Sequence, residues 1–369
     1  MRNSLLQLLE TGGPPLEKLD LSQIAIYGAG ICGRKVAARA RERGITVRVF
    51  VDERAASIQP YDGIPCLSPQ DAAVGQLAEE AVPIVLGIFN HAVDVQPIHR
   101  LLANLGFSRV VPYPEFHEHC GDGSDFWVTK RTFYRKHAPA ILAAFDLFED
   151  TESQKVFHDC IVSRLTFAVD LLRQPDSENP YLPSDLPPPV SPMRLIDGGA
   201  FTGDTLQSFL DHRVKFEAVA AFEPDPANYR QLCLTVESSV EKLGKVALLP
   251  CGLGEETATQ SFHVGAGTAS GMTTAGSTSV QVVSLDDALP GFAPTFIKLD
   301  IEGAEDLALR GAAKMIKRFG PRLAVCVYHR PEHLWTLPKL MRNLRADYRL
   351  ALRYHYWNGF DTVAYAFTS

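Results

Sequence analysis

The sequence predicts an α/β protein of two doubly wound, Rossmann-like domains, and three observations carry that reading. The order apolar strand, glycine turn, amphipathic helix starts near Gln23 and starts again at Arg194, after a proline-rich segment. Both glycine turns, "YGAGICG" at 27–33 and "DGGAFTGD" at 197–204, directly follow short apolar runs. A length of 369 residues exceeds what one hydrophobic core usually supports, so two domains are expected.

In the first domain the alternation reads "QIAIYGAG", "ICGRKVAARARERG", "TVRVFVDE", "SPQDAAVGQLAEEA", "PIVLGIF", "VDVQPIHRLLANLG" and "RVVPYP". Short β-rich runs between amphipathic helices make a parallel sheet covered on both faces. Residues 126 to about 173 lose the strand runs and read as helices that bridge or cap the sheets. "HEHC" at 117–120 reads as a loop at the domain edge. "RQPDSENPYLPSDLPPPVSPMR" is too rich in proline for a helix or an interior strand, so it reads as an extended linker, with Tyr181 and Leu182 docking part of it.

From Arg194 the series continues: strand "RLIDGGA", helix "GDTLQSFLDHR", strand "EAVAAFEPD", helix "NYRQLCLTVESSVEKLG" and strand "VALLPCGLG". Two β-like pieces follow, "TQSFHVG" and "SVQVVSLDDAL". Then come "TFIKLDIEGAE", one helix to about Phe319, "RLAVCVYH", helix "HLWTLPKLMRNLR", and the pair "YRLALRYHY" and "TVAYAFTS" around a "WNGFD" turn. That ending implies a mixed sheet with an antiparallel edge strand. The expected boundaries are 1–125 for the Rossmann-like domain, 126–180 for the helical bridge and linker, and 181–369 for the second domain.

Composition narrows the function. Hydrophobic residues at 46% and charged ones at 21% are ordinary globular values. A formal charge of -7 without a run of one sign disfavours nucleic acid and anionic membranes as partners. No stretch approaches the roughly 18 apolar residues of a membrane span, and "MRNSLLQLLETGG" lacks the apolar core and cleavage site of a signal peptide, so a cytoplasmic location is expected. Seven scattered cysteines without C-x-x-C spacing read as buried thiols, and no metal site is expected. The oligomeric state is left open.

Ligands of such sheets bind at the carboxyl ends of the strands. In the second domain these ends read Asp197-Gly198-Gly199-Ala200, Glu223-Pro224-Asp225, Cys251-Gly252-Leu253 and Asp300-Ile301-Glu302-Gly303-Ala304-Glu305. Glycines let a backbone approach a ligand, Asp197 can accept from an ammonium, and Glu223 can take both hydroxyls of a ribose. So many carboxylates would repel a pyrophosphate. They suit S-adenosyl-L-methionine, which carries a sulfonium, an ammonium and a ribose.

Together "LIDGGAFTGDT", "FEPDPANY", "VVSLDDAL", "FIKLDIEGAE" and "YHRPEHLW" resemble the FkbM family of S-adenosylmethionine-dependent methyltransferases over roughly residues 181–367. The resemblance implies a class I methyltransferase fold and methylation of a hydroxyl on a sugar, glycan or polyketide-like acceptor. It implies that Asp197, Gly198, Gly199 and Gly203 hold the methionine end, Glu223 the ribose, and Gly252 and Leu253 the adenine neighbourhood, with Ala200, Phe201 and Pro224 also among the cofactor-binding residues. Asp300, Glu302 and His329 are the candidate catalytic bases. His333 departs from the family, whose members more often carry an acid there.

Other residues have plainer readings. Asp204 and Asp225 start helices, Glu305 faces solvent or caps a helix, Cys251 is packed, and His355 is part of strand packing. "HRPEH" at 329–333 has the spacing of a zinc motif but contains Pro331 and follows a strand, so it cannot put both imidazoles on one helix face. In the first domain, Gly28, Gly30, Gly33 and Asp52 have the spacing of a dinucleotide fingerprint without a catalytic partner. An NAD-type nucleotide, a nucleotide-sugar and no ligand all remain open there. Two rival functions follow: an NAD-dependent oxidoreductase, and a non-catalytic nucleotide-sensing protein.

Overall fold

The computed structural model describes all residues except 17, 170, 173–178, 264–270, 273–277 and 369, and only the backbone at 261–263, 271–272 and 278. The start of the proline-rich segment and the end of the piece predicted at 259–265 thus lie outside the described residues. The chain forms two compact units, one of residues 1–142, 157–176 and 356–360, the other of 143–156, 177–355 and 361–369.

In the first unit, β1 (Gln23–Tyr27), β2 (Thr46–Val51), β3 (Cys66–Leu67), β4 (Ile84–Leu86) and β5 (Val110–Val111) form a parallel sheet in the order β3-β2-β1-β4-β5. Ala25, Val51, Ile84 and Leu86 are buried in its core. The helix Ile31–Glu42 lies so close to β1 that a Cβ on Gly33 would fall 1.9 Å from the Gly28 carbonyl oxygen. That gives the third glycine of the fingerprint a packing reason. Asp52 closes β2, is buried, and accepts from the backbone N–H of Ala29 (3.0 Å) and of Arg54 (2.9 Å).

One expectation fails here: "HEHC" is not a loop but the end of a helix, Tyr113–Cys120. Its buried residues Tyr113, Phe116, His117 and Cys120 recur at helical spacing, a stripe that the intervening His and Glu residues obscure in the sequence. The stretch read as helical contains Arg131–Lys136, Ala138–Phe145 and Thr151–Thr166.

The second unit comprises β6 (Met193–Gly198), β7 (Phe216–Phe222), β8 (Lys245–Leu249), β9 (Gly252–Leu253), β10 (Ala258–His263), β11 (Gly271–Met272), β12 (Thr278–Val283), β13 (Phe296–Leu299), β14 (Arg322–Cys326), β15 (Arg349–Tyr354) and β16 (Thr362–Phe367). The main sheet runs β15-β16-β14-β13-β6-β7-β8, with β16 antiparallel to both neighbours and the other pairs parallel. Its inner strands are buried almost throughout, as a sheet covered on both faces requires.

Two details differ from the sequence reading. Gly252 and Leu253 do not end β8 but form a strand of a separate small sheet, ordered β11-β10-β12-β9. The helix expected to run to Phe319 is two, Glu305–Gly311 and Ala313–Phe319.

Candidate functional site

Parallel register sets Asp197 of β6 beside Lys298 of β13, on one face of the sheet. Their charged atoms lie 3.0 Å apart and both side chains are almost wholly buried. Lys298 Nζ also donates to the Gly199 carbonyl at 2.6 Å and to that of Gly198 at 3.4 Å. Burial works against the charge on Lys298, but Asp197, with Asp300 and Asp204 behind it, more than reverses this and holds the ammonium. The cation opposite Asp197, the residue expected to face a ligand's ammonium, is the chain's own Lys298. A lysine inside the apolar run "FIKL" is the signal that sequence reasoning passed over.

The turn after β6 then makes the closest backbone approach in the site. Gly199 has φ +75°, and a Cβ there would sit 1.9 Å from the Asp300 carbonyl oxygen. Only glycine fits. Ala200 and Phe201 continue the turn, and Gly203 caps the helix Asp204–Asp211, so Asp204 does start a helix. Glu223, at the end of β7, accepts from the N–H of Phe201 (2.9 Å) with one oxygen and of Asp225 (2.8 Å) with the other. Each carboxylate oxygen retains a second lone pair. Burial pushes its pKa up. Beyond Pro224, Asp225 caps the helix Pro226–Glu237 by accepting from Ala227 and Asn228. Leu253 packs where a Cβ on Gly198 would come within 2.7 Å of it, so β9 flanks the turn after β6 despite lying in the other sheet.

The third group gathers around His329. Its Nδ1 is 2.8 Å from Glu305 Oε1, and its Nε2 faces Asp300 at 3.4 Å and Glu302 at 3.7 Å. Glu305 neither faces solvent nor caps a helix from outside. It is fully buried, and Oε1 also accepts from the N–H of Ile301 (3.0 Å) and of Gly303 (3.3 Å). Its Oε2 lies 3.2 Å from His333 Nδ1. Both imidazoles with zinc-like spacing are thus spent on one carboxylate.

Burial would keep His329 neutral, but Glu305 first, then Glu302 and Asp300, push its pKa up to about 10. The carboxylates on both sides of the ring thus favour its protonated form at neutral pH. Burial, with the like charges of Asp300, Glu305 and Asp361, pushes Glu302 up to about 8 against the pull of His329. Asp361, just before β16, is pushed up to about 7 by burial and by Asp300.

Asp361 was not singled out in the sequence because it sits in an ordinary-looking "NGFDT" turn. Its carboxylate, that of Asp300 and the Cys326 thiol lie within 4.8 Å of one another. Tyr181 does dock, as its position in the linker suggested: its hydroxyl donates to Asp300 at 3.1 Å and its ring lies 5.4 Å from Lys298 Nζ. His355 is buried against the Tyr365 hydroxyl, 2.8 Å away, as strand packing predicts. Gly28, Gly30, Gly33 and Asp52 belong to the first unit and take no part in this cluster.

A parallel sheet ending in an antiparallel strand pair, with its ligand-facing carboxyl edge lined by acids, is the doubly wound sheet of a class I methyltransferase. Residues 197–350 match the family model described as the methyltransferase FkbM domain, and the second unit is accordingly an FkbM-family methyltransferase domain. The crystal structure of a methyltransferase FkbM from Methylobacillus flagellatus KT is similar in fold, with a TM-score of 0.82 and 22% identity over 99% of this chain and 98% of that one. An unconfirmed rRNA-methylase from Clostridium thermocellum aligns with 48% of this chain and 87% of its own at 8% identity, and its TM-score of 0.32 carries no weight.

No protein of curated function matches. The family match favours methyl transfer over the oxidoreductase and sensor readings. It begins at residue 197, so it lends no support to a nucleotide in the first unit. Among the described residues no helix is long and apolar enough to cross a membrane.

Proposed function

We propose that the second unit transfers a methyl group from S-adenosyl-L-methionine to a hydroxyl of a neutral small molecule or glycan, of sugar or polyketide type. The observation that carries this is Glu223: a buried carboxylate at the end of the second strand of the main sheet, pinned by two backbone donors with a lone pair left on each oxygen. That is the donor set a ribose diol completes. The glycine turn 198–203 would hold the methionine end, with Asp197 acting through Lys298, and Gly252 and Leu253 would border the adenine.

When bound, the cofactor supplies an electrophilic methyl on a cationic sulfur. The chain's part is to align the acceptor oxygen and take its proton, and alignment supports most of the rate. A base adds about 10²- to 10⁴-fold. With His329 cationic, that task passes to Asp300, Glu302 or Asp361, and a group titrating near the working pH is the best compromise between availability and strength. Three acids on one rim also favour a neutral acceptor over an anionic one. His329 keeps that rim from repelling itself apart.

Calorimetry with S-adenosylmethionine and detection of S-adenosylhomocysteine from a panel of hydroxyl acceptors test the proposal. Glu223→Ala removes charged hydrogen bonds worth about 1.5–3 kcal/mol, so affinity should fall about 10- to 150-fold. Unchanged affinity in that variant, or no homocysteine product with any acceptor, would overturn the reading. Asp300→Asn, Glu302→Gln and Asp361→Asn separate the bases: the one that acts loses turnover while the cofactor still binds.

A further inference from the structure

The first unit holds a cavity that the methyltransferase chemistry does not use. It opens beyond the carboxyl ends of β4 and β5, where Leu86, Ile88 and Pro112 line it, the place where open parallel sheets bind ligands. Ile88 also sits against the Gly28 turn, so the cavity adjoins β1 as well, and in the order β3-β2-β1-β4-β5 the direction of strand addition reverses between β1 and β4.

The walls are aromatic. Phe89 lies 5.2 Å from Tyr113 and 5.3 Å from Trp127, centroid to centroid, and the cavity is also lined by Tyr134 and Phe167. Three of the nine non-glycine residues with left-handed backbone among the described residues gather here: Phe167 and Asn358 in the lining, and Phe126 next to Trp127. Such strain, on the order of 1–3 kcal/mol each, is concentrated at ligand clamps.

Size and polarity specify the occupant. The cavity offers about 60 Å³ to the centre of a water-sized sphere. At roughly 10–15 Å³ per water on that measure, and ~30 Å³ of liquid per water, this is the space of about four to six waters, or ~120–180 Å³, the volume of one six-membered ring. Four hydroxyls line it, and all already donate: Thr129 to the Gly123 carbonyl at 3.2 Å, Ser163 to that of Cys160 at 2.9 Å, Tyr113 to Asp125 at 2.6 Å and Tyr134 to the Trp127 carbonyl, while the lining Arg164 lies over the Trp127 and Tyr134 rings. The hydroxyl oxygens can only accept from a guest. We infer that the first unit carries a binding site for a monocyclic aromatic compound bearing one hydroxyl, a phenol, rather than for a dinucleotide.

Saturation-transfer NMR and calorimetry on the full-length protein, with phenol as the probe and 1-naphthol as the size control, test this. Phenol should bind saturably and 1-naphthol should not. Ala168→Phe, which fills the cavity from its lining, should weaken phenol by about 10- to 100-fold. Ile88→Ala, which widens it, should admit 1-naphthol, so the site is read by a gain as well as a loss. Phenol that fails to saturate, that binds Ala168→Phe as well as the parent, or that binds no better than 1-naphthol would each overturn the inference. S-adenosylmethionine binding is measured alongside, so failure of the second unit's assignment leaves this result readable.

Discussion

Lys298→Met should cost more stability than any single contact on the rim of the site. At 3.0 Å the attraction between Lys298 and Asp197 is about 5–6 kcal/mol at an effective dielectric constant near 20. Desolvating both ions offsets most of that, so the pair adds little net stability, but removing one partner leaves the other charge buried and unpaired. Such truncations cost about 3–5 kcal/mol.

The assay is urea unfolding followed by Trp335, which lies in the second unit, in a Trp127→Phe and Trp357→Phe background that silences the first. With a slope of about 2 kcal/mol per molar, the midpoint should drop by about 1.5–2.5 M. Asp197→Leu alone should do the same, and the double replacement should cost less than either single one, because a buried pair exchanged for apolar groups is often neutral. Singles below about 1 kcal/mol, or a double equal to their sum, would refute the account of a coupled buried pair.

Two more outcomes follow from the same cluster. Glu305→Gln removes the largest influence that keeps His329 cationic, so the imidazole should titrate well below about 10, and the turn at 301–303 should loosen because an amide accepts more weakly from Ile301 and Gly303. Nitrogen-15 NMR of His329 reads the first effect, and amide exchange at 301 and 303 the second. Stability of the second unit should fall by a few kcal/mol as pH rises from about 5 to 10. The folded state keeps protons that the unfolded chain releases: on Asp361 between its ordinary 3.8 and about 7, on Glu302 between 4.5 and about 8, and on His329 between 6.5 and about 10. Glu305, held well below 4.5, acts oppositely, and its contribution is lost as pH falls below that value. Chemical denaturation at pH 5, 7 and 9 checks the sign.

Period and punctuation made most of the fold legible. Apolar runs of strand length between amphipathic helices located both sheets, and the "WNGFD" turn announced the antiparallel ending that β15 and β16 form. What escaped was decided by neighbours distant in sequence. Gly252 and Leu253 read as the tail of β8 because nothing local says that Val282 and Val283 pair with them. Glu305 read as a surface acid because acids at helix starts usually are. Its burial depends on two histidines that lie 24 and 28 positions further on, brought in by β14 and the helix after it.

The same distance explains why the site's electrostatics were not legible in the sequence. Spacing alone put Asp300, Glu302 and His329 at strand ends, where any of them could accept a proton. Packing then added Glu305 behind the imidazole and Asp361 beside Asp300, which favours the protonated form of the histidine and pushes Glu302 and Asp361 up. Glu302 and Asp361 both hold left-handed backbone, with φ +54° and +47°, which costs each residue about 1 kcal/mol or more and is sustained by the surrounding structure. A fold stabilises crowded, partly protonated acids on strained turns only if something else gains from them, and a ligand carrying a positive charge gains directly. Binding such a ligand should release protons from Glu302 and Asp361, so its affinity should rise between pH 6 and 9, the opposite slope to that of stability, while S-adenosylhomocysteine, which lacks the sulfonium charge, should show a shallower rise. Calorimetry in buffers of different ionisation enthalpy counts the protons, and equal pH dependence for the two ligands would remove the sulfonium from the explanation of the acidic rim.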